Sequence, residues 1–290
     1  MVGTQAGFSP KSTSIKTQRQ TIFTGHLGRK PLTAAPTPAF TCARLGLPAP
    51  GLGQYTACMC VNYTPAQLDR LLKVAGMPQS VREITYPADT WPMYRAPMIR
   101  TAADLQALKS PTLAPLDGVV FRIDAAHFGM IPAWAKPDEV LKHRSTHNAR
   151  SETVHEKPTY KKAWLNCQFA LIPMVNFREP YYGPGRKNTK SVQWEIYRKD
   201  GEIFTVAAIW SEWKNHQTGE VLLSFSALTI NADTHPIMKQ FHRDGDEPRS
   251  LVVIPTEQRE AWVSERDPDA AGRFLVPFDA EEFDAGPKRQ

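Results

Sequence analysis

Residues 169–182 read FALIPMVNFREPYY, an apolar run followed by a polar and aromatic end. The first seven residues form the apolar run, which predicts a buried strand over 169–175. Similar runs occupy residues 118–124, 191–198, 203–210, 222–230 and 250–254, and most are joined by short turns. Short turns favour antiparallel pairing between successive strands. We therefore expect one α+β domain with a largely antiparallel sheet.

Four short helices are expected beside this sheet. The first has the best start signal: Thr64 would cap it, Pro65 would take the first helical position, and Gln67 would bond back to the cap. Gly76 would end it. The other helices are expected over residues 101–109, 158–164 and 255–263.

The basic excess of the chain lies in its first part. Of the 35 basic and 29 acidic residues, residues 1–58 contain six basic and no acidic ones, which leaves 29 of each in 59–290. The first 58 residues have three interpretations: upstream sequence translated from an early start, an organelle-targeting peptide, or a disordered tail. We expect a disordered leader over 1–58, a domain over 59–280 and a frayed tail over 281–290.

Several function classes are disfavoured by composition. No stretch approaches the roughly 18 apolar residues of a membrane-spanning helix, so we expect no membrane partner. The sequence shows no secretory signal, so we expect reduced cysteines and a cytoplasmic location. The four cysteines lack the regular spacing of zinc ligands, and no glycine-rich phosphate motif occurs. We therefore expect no metal and no cofactor. Because 59–290 is electrically balanced, any affinity for nucleic acid must come from a local patch.

Cys60 is the first candidate for chemistry, because it follows Met59. If the chain started at Met59 and lost that methionine, Cys60 would carry a free α-amine beside its thiol. Both groups are partly nucleophilic near neutral pH. Such an aminothiol condenses with an aldehyde to a thiazolidine ring. The alternative is an ordinary buried cysteine at the start of a strand.

Two further motifs contain polar groups suited to a reaction centre. HNARSETV, residues 147–154, offers the amide of Asn148 and the guanidinium of Arg150, which can grip a phosphate. Glu179 follows the 169–175 strand beside aromatic residues, where a carboxylate can move protons. The alternatives are a polar turn before a helix for the first motif and a solvated surface glutamate for the second.

Histidines, aromatic residues and lysines supply the remaining candidates. His235 and His242 are both suited to proton transfer, although a lone histidine is more often structural. Trp134 and Phe128 could stack on bases, or could pack in the core instead. Lys136 and the basic loop over 183–190 add local positive charge, which is often merely solvated on a loop.

The motifs occur in a characteristic order: Met-Cys-x-x-Tyr-Thr (59–64), Gly-x-Ile-Pro-x-Trp-Ala-Lys (129–136), Asn-Ala-Arg-x-Glu-Thr (148–153), an Ile-Pro strand leading to Phe-x-Glu (172–179), and a late histidine before Val-Val-Ile (252–254). This order resembles the SOS-response-associated peptidase (SRAP) family over residues 59–280. The resemblance implies a single domain with a barrel-like antiparallel sheet core and a few short peripheral helices.

The resemblance also implies a function. Members of this family bind single-stranded DNA and react with the aldehyde of an abasic site, so the implied partner is single-stranded DNA that contains abasic sites. The implied protein is a monomer, associated with the nucleoid when bound to DNA, with possible autoproteolytic and lyase activity. The implied roles are a nucleophile at Cys60, positioning by Asn148, proton transfer by Glu179 and His242, and DNA contact by Arg150, Trp134, Phe128 and Lys136.

The sequence departs from the family pattern at three places. Asn62 stands where an arginine that faces DNA is expected. Residues 174–180 keep Glu179 of the usual Ala-Asp-Gly-Phe-Tyr-Glu-Trp motif but not its neighbours, and Arg178 could compensate in charge. The stretch RDGDEPRS, residues 243–250, lengthens the usual spacing after the histidine, so His235 remains an alternative to His242. Two other functions stay open: a thiol peptidase or amidase that uses Cys60 and His242, and a single-stranded DNA binder without catalysis.

Overall fold

The computed structural model describes residues 62–71, 84–101, 121–142, 144–188 and 190–288. Its strands are β1 (Asn62–Pro65), β2 (Arg95–Thr101), β3 (Phe121–Phe128), β4 (Asn148–Arg150), β5 (Phe169–Tyr181), β6 (Val192–Arg198), β7 (Phe204–Lys214), β8 (Val221–Asn231), β9 (Arg249–Leu251), β10 (Val253–Ile254) and β11 (Phe283–Pro287). Its α-helices are α1 (Leu68–Leu71), α2 (Pro158–Leu165) and α3 (Arg259–Ser264). The predicted leader over 1–58, Cys60 and nearly all of the helix predicted over 101–109 lie outside the described residues.

Within the described residues, β2, β3, β8, β7 and β5 close into a barrel. Strand β2 pairs antiparallel with β3 and β5, and β7 pairs antiparallel with β5 and β8. The seam between β3 and β8 is parallel, with Phe128 opposite Phe225. The expected α+β fold, with a largely antiparallel barrel-like sheet and a few short helices, is thus confirmed.

The second half of β5 extends beyond the barrel and carries pairing on both edges. Strand β1 lies on one edge, with Asn62 opposite Arg178, and β6 lies on the other, with Trp194 opposite Glu179. Strand β11 then pairs antiparallel with β6. Because both edges are paired, the polar residues of this half of β5 lie inside a sheet.

Side chains of β5 alternate between two apolar cores. Ile172 and Phe177 belong to the first core, whereas Phe169 and Leu171 belong to the second. Residues 169–172 show the period of two that a strand imposes on its side chains. A register irregularity between Met174 and Asn176, opposite Thr64 and Pro65 of β1, shifts the phase by one residue, so Phe177 also faces the first core. Helices α2 and α3 cover the second core and contribute buried tryptophans to it, and Trp262 stacks on Phe169 with ring centroids 4.4 Å apart. The site described below lies on the side of the first core.

The start of the first helix was wrongly predicted. Thr64 and Pro65 belong to β1, and the helix begins at Leu68. The Thr64 hydroxyl donates to Asp89 and accepts from Arg178, at 3.1 and 3.0 Å, rather than capping a helix. These contacts with residues distant in sequence replace the local bonds of a capping box. The other two described helices match their predictions, with a short 3-10 turn over Thr256–Gln258 before α3.

Two strand predictions also need correction. Strand β5 does not end at 175 but continues to Tyr181, because β1 and β6 supply hydrogen-bonding partners on its two edges. The predicted frayed tail over 281–290 contains β11, which is fastened by the buried Phe283 and by an ion pair of 2.6 Å between Glu282 and Arg198. Among the described helices, none is long and apolar enough to cross a membrane.

Candidate active site

Glu179 and His242 meet at the far end of β5. Glu179 Oε2 lies 3.6 Å from His242 Nε2, and the two side chains are only 2% and 5% exposed. Glu179 follows Phe177 by two residues, so strand alternation places it on the side of the first core. Trp194 lies opposite Glu179 on β6 and packs against Tyr181 at 4.2 Å between ring centroids. A carboxylate and an imidazole thus share a largely apolar recess.

The backbone holds His242 in a conformation that is unusual for a residue with a side chain. Its φ is 70°, in the left-handed region. Its N–H donates to the Pro180 carbonyl at 3.3 Å, and the preceding Phe241 forms a bridge with Tyr181. These contacts over-determine the backbone, which is how a strained conformation persists at a functional position. They fix the imidazole beside Glu179.

Burial lowers the pKa of His242 to about 4, so the imidazole is neutral at neutral pH. Neither ring nitrogen forms a hydrogen bond with the described residues, although both are shielded from solvent. A neutral imidazole with an available nitrogen can accept a proton from a reacting group. The pair therefore has the composition of an acid–base site.

His235, the alternative to His242, has a structural role instead. Its Nδ1 accepts the backbone N–H groups of Ile237 and Met238 at 3.1 and 3.2 Å. Its Nε2 lies 3.1 Å from the Phe278 carbonyl, so that nitrogen is the protonated one. Both nitrogens are occupied in holding a turn. The structure thus favours His242 for proton transfer.

Asn148 begins β4, and register places it on the same side of the sheet as Glu179. Asn148 lies directly opposite Ala227 on β8, and Ala227 belongs to the first core together with Phe177. Residues that lie opposite one another on neighbouring strands project to the same side. The Asn148 side chain is buried, and its own carbonyl accepts a hydrogen bond from Tyr160 at 3.1 Å.

The proposed role of Phe128 as a stacking face for bases is wrong. Its side chain is 1% exposed and belongs to the first core. Its ring contacts Tyr63, His147 and Phe225 at 5.2, 5.4 and 5.4 Å between centroids. Phe128 therefore forms a floor that connects β1 with the residue before Asn148, rather than a surface for a ligand.

Trp134 is a surface aromatic held by a fastened loop. Its side chain is 60% exposed. The other large apolar side chains that are exposed in the described residues are a leucine and three valines. The loop runs from the end of β3 at Phe128 to the start of β4 at Asn148, and both of these strands pair with β8. Hydrogen bonds from Ile131 N–H to Ser224 at 3.0 Å and from the Trp213 indole to the Ala135 carbonyl at 3.0 Å hold the loop on either side of Trp134. Lys136, also in this loop, is exposed.

Arg150 ends β4 and is half-exposed, as expected of a phosphate contact, but it is paired. Its Nη1 donates to Glu247 Oε2 at 2.7 Å. Arg186, in the basic loop, lies 3.8 Å from Asp244. Neither pairing could be predicted from local sequence, because both acidic partners come from the 243–250 stretch, about 60 to 100 residues further along the chain.

A buried ionic cluster lies on the opposite side of β5 from Glu179. Arg178, 4% exposed, donates from Nε to Glu195 at 3.1 Å and from Nη2 to Asp89 and Thr64, both at 3.0 Å. Asn62 lies opposite Arg178 and is fully buried. Arg178 therefore does not present its charge to the surface in place of the expected arginine. Its contacts instead fasten β1 and β6 to β5.

The described residues contain no group of three or more His, Cys, Asp or Glu side chains arranged to hold a metal ion. The assembled features are a buried carboxylate–imidazole pair, a buried amide on the same side of the sheet, and an exposed tryptophan with an arginine and a lysine nearby in sequence. Such a set can bind an anionic chain and move protons at a neighbouring nucleophile.

Comparisons with known proteins agree with these features. The family model for the SOS response associated peptidase (SRAP) matches residues 58–288. The chain is 28% identical over 172 residues to abasic site processing protein YoaM of Bacillus subtilis, covering 58% of this chain and 69% of that protein. It is 29% identical over 143 residues to abasic site processing protein HMCES of Xenopus tropicalis, covering 42% of each.

A solved structure of a protein from Bordetella bronchiseptica shares the fold, with a TM-score of 0.66 and 28% identity. It covers 80% of this chain, and all of that protein is matched. The family model spans most of the sequence, and the Cys60, Asn148, Glu179 and His242 motifs all fall within the matched residues. The chain therefore belongs to the SOS response associated peptidase (SRAP) family.

Proposed function

We propose that this protein binds single-stranded DNA and captures abasic sites covalently through Cys60. The observation that carries this proposal is the buried pair of Glu179 and His242, 3.6 Å apart, beside the strand that follows Cys60. Relatives named as abasic site processing proteins support the lesion as the substrate.

Sequence position supports Cys60 as the reacting residue, although Cys60 itself lies outside the described residues. Cys60 precedes Asn62, the first residue of β1, by two positions. Asn62 lies opposite Arg178, the neighbour of Glu179. The strand that follows Cys60 in the sequence therefore pairs with the part of β5 that carries Glu179.

The chemistry would proceed in two bond-forming steps. The α-amine of Cys60 adds to the aldehyde carbon of the ring-opened sugar, and loss of one water gives an imine. The thiol then adds across the carbon–nitrogen double bond: sulfur bonds to carbon, and the thiol proton passes to nitrogen, closing the thiazolidine. The reaction requires a free α-amine on Cys60, because an amide nitrogen does not form an imine.

The acid–base pair has a role in each step. The first step needs a proton removed from the attacking amine and a proton delivered to the departing oxygen. Burial keeps His242 neutral and able to accept a proton, and the adjacent Glu179 carboxyl can relay one. Asn148, which projects to the same side, can orient the amine or a sugar hydroxyl. The same groups, acting in reverse, would reopen the ring.

Binding of the strand would rest on a few surface residues. Trp134 offers a stacking face, and stacking on a base is worth about 1–3 kcal/mol. Lys136 and Arg150 would contact phosphates. The even balance of basic and acidic residues over 59–290 supports a small electrostatic contribution rather than a strongly cationic groove.

The test is incubation of protein that starts at Cys60 with a single-stranded oligonucleotide containing one abasic site. We expect an adduct that survives denaturation and whose mass equals the two components less one water. Cys60→Ala should form no adduct, and Cys60→Ser at most a reversible imine. An adduct that persists in Cys60→Ala would overturn the assignment of the nucleophile. Normal DNA binding without any adduct would indicate a non-catalytic binder.

A second candidate is a thiol peptidase, for which the neutral His242 held beside Glu179 is the favouring observation. A base oriented by a carboxylate is the arrangement that activates a cysteine in thiol hydrolases. This function predicts amide hydrolysis that is independent of DNA and absent in Cys60→Ala. The test uses a chain that carries residues before Cys60. Cleavage between Met59 and Cys60 in the wild-type chain, but not in the His242→Gln chain, would support the peptidase function.

A further inference from the structure

The segment from Arg243 to Glu247 connects the acid–base pair with Arg150. It begins directly after His242, and its Arg243 donates to the Tyr182 hydroxyl at 3.3 Å. It ends at Glu247, which is ion-paired with Arg150 at 2.7 Å. The segment therefore runs between the two parts of the proposed site, and three of its five residues are acidic.

Glu247 is held in place by three donors. Its Oε2 accepts from Arg150, and its Oε1 accepts from Asn231 at 3.0 Å and from Arg249 at 2.9 Å. The hydrogen bond from Asn231, together with the two arginines, lowers the pKa of Glu247 to about 2. The carboxylate is thus ionised at neutral pH and stands against the guanidinium that is proposed to contact phosphate.

The buried Arg249 does not depend on Glu247. Glu152 accepts two hydrogen bonds from its guanidinium, at 2.8 and 2.7 Å, and the Thr229 carbonyl accepts a third at 2.8 Å. Removal of the Glu247 charge therefore leaves Arg249 paired. Arg150, in contrast, loses the ion pair that Glu247 supplies.

A second basic residue is covered by the same segment. Arg186 lies 3.8 Å from the Asp244 carboxylate and donates to the Asp246 carbonyl at 3.5 Å. Two arginines, one at the end of β4 and one in the basic loop, therefore have acidic partners from one segment. A phosphate that approaches Arg150 meets a negative charge already bound there, and has to displace it or share the guanidinium with it.

We propose that Glu247 is a specificity-determining residue that competes with DNA phosphate for Arg150 and so weakens the binding of undamaged single strands. This inference rests on the proposed binding of single-stranded DNA. Weak binding of intact strands leaves retention of the protein dependent on the covalent step, which needs an abasic site. Glu247 thereby favours damaged over intact DNA.

The experiment measures the affinity of an undamaged single-stranded oligonucleotide at several salt concentrations. We expect Glu247→Gln to bind about three- to tenfold more tightly, with a salt slope steeper by about 0.7, the value for one phosphate contact on a single strand. Arg150→Gln should bind more weakly than the wild type. The double variant should match Arg150→Gln, because the glutamate acts through that arginine.

Glu202→Gln provides the matched control. Glu202 lies in the turn between β6 and β7, at the opposite end of β6 from Trp194 and Glu179, and is 4.0 Å from Arg70. The Glu202→Gln substitution removes one negative charge from a surface pair with an arginine, as Glu247→Gln does, and should leave the affinity for the oligonucleotide unchanged. Glu247→Ala, which also lacks the charge, should bind more tightly than the wild type too, and unfolding curves for both Glu247 variants establish that each is folded.

Three outcomes would overturn the inference. Glu247→Gln that binds as the wild type does, or more weakly, would show that the glutamate orients Arg150 or does nothing there. A gain that persists in the double variant, or that equals the gain in Glu202→Gln, would show a general charge effect. In each of these cases binding by the wild type leaves the proposed function standing. Absence of binding by every variant would instead overturn the proposed function, and the inference with it.

Discussion

At the scale of single residues, burial sets what the site can do, because it holds the imidazole of His242 neutral beside the Glu179 side chain. Glu179 and His242 were both predicted for proton transfer, and the structure places them 3.6 Å apart. The choice between His235 and His242 could not be made from sequence, because both are isolated histidines in a polar stretch. Three hydrogen-bonding contacts to the backbone decide it by occupying both ring nitrogens of His235. Phe128 was misjudged because an aromatic residue gives no local signal of burial.

The neutral state of His242 makes stability depend on pH. Folding lowers its pKa from 6.5 to about 4, so between these values the unfolded chain binds more protons than the folded one. Stability should rise with pH across this window and fall as pH drops through it. Through His242, the free energy of unfolding should fall by about 3 kcal/mol as the pH drops from 6.5 to about 4, since one pKa unit corresponds to ~1.4 kcal/mol.

Urea unfolding of the wild type and His242→Gln at several pH values measures this contribution. The variant should show a shallower dependence, whereas His155→Gln, at an exposed histidine, should follow the wild type. Equal slopes for the wild type and His242→Gln would contradict a buried neutral imidazole.

The left-handed backbone at residue 242 gives a second prediction. His242→Gly should be more stable than His242→Ala by about 1 kcal/mol, because a β-carbon is disfavoured at a φ of 70°. Lys161, which is exposed in the interior of α2, provides the control, where alanine should be the more stable of the two. Thermal unfolding of the four variants gives the difference in stability between glycine and alanine at each position. If glycine and alanine rank in the same order at both positions, residue 242 is not strained.

At the scale of elements, β5 shows where local patterns stop being informative. Its first half was predicted because it is uniformly apolar. Its second half, with Asn176, Arg178 and Glu179, was taken for a turn because polar residues interrupt the run. These residues remain in a strand because β1 and β6 pair with it and supply partners for the charges. The same contacts turn the predicted helix cap at Thr64 into part of β1.

The Arg178 cluster predicts strong coupling between β5 and β6. Arg178→Met should lower the free energy of unfolding by about 3–5 kcal/mol, because it leaves the buried Glu195 carboxylate without its arginine. The double variant Arg178→Met, Glu195→Leu should recover part of this loss. A double-mutant cycle in denaturant measures the coupling, and a double loss equal to the sum of the single losses would refute it.

At the scale of the whole molecule, the distribution of charged residues and the order of the motifs indicated where the domain lies and which family it resembles. The described chain has the largely antiparallel barrel that the strand runs and the family resemblance led us to expect. The closing seam between β3 and β8, the three-residue β4 and the paired β11 were not predicted. Each depends on contacts between segments far apart in sequence, and short strands carry too few residues to show a period of two.

An electrically balanced domain should bind DNA with a shallow dependence on salt. Lys136→Gln should weaken binding and reduce the salt slope by about 0.7, because one phosphate contact is lost. Trp134→Ala should weaken binding without changing the slope, because stacking releases no counterions. Lys199→Gln, in the turn between β6 and β7, is the control for a lysine outside the site. Titrations at three or more salt concentrations separate these effects, and a slope change in Trp134→Ala would contradict its stacking role.

The central claim is that the free α-amine and the thiol of Cys60 together capture an abasic site. It is tested most directly by comparing two otherwise identical proteins, one beginning at Cys60 and one in which a preceding residue holds that nitrogen in an uncleaved amide. Each is incubated with single-stranded DNA bearing one abasic site, and the adduct is quantified by intact mass after denaturation. We predict an adduct, lighter than the sum of its components by one water, only for the protein that begins at Cys60. Equal adduct formation by both proteins would contradict the claim.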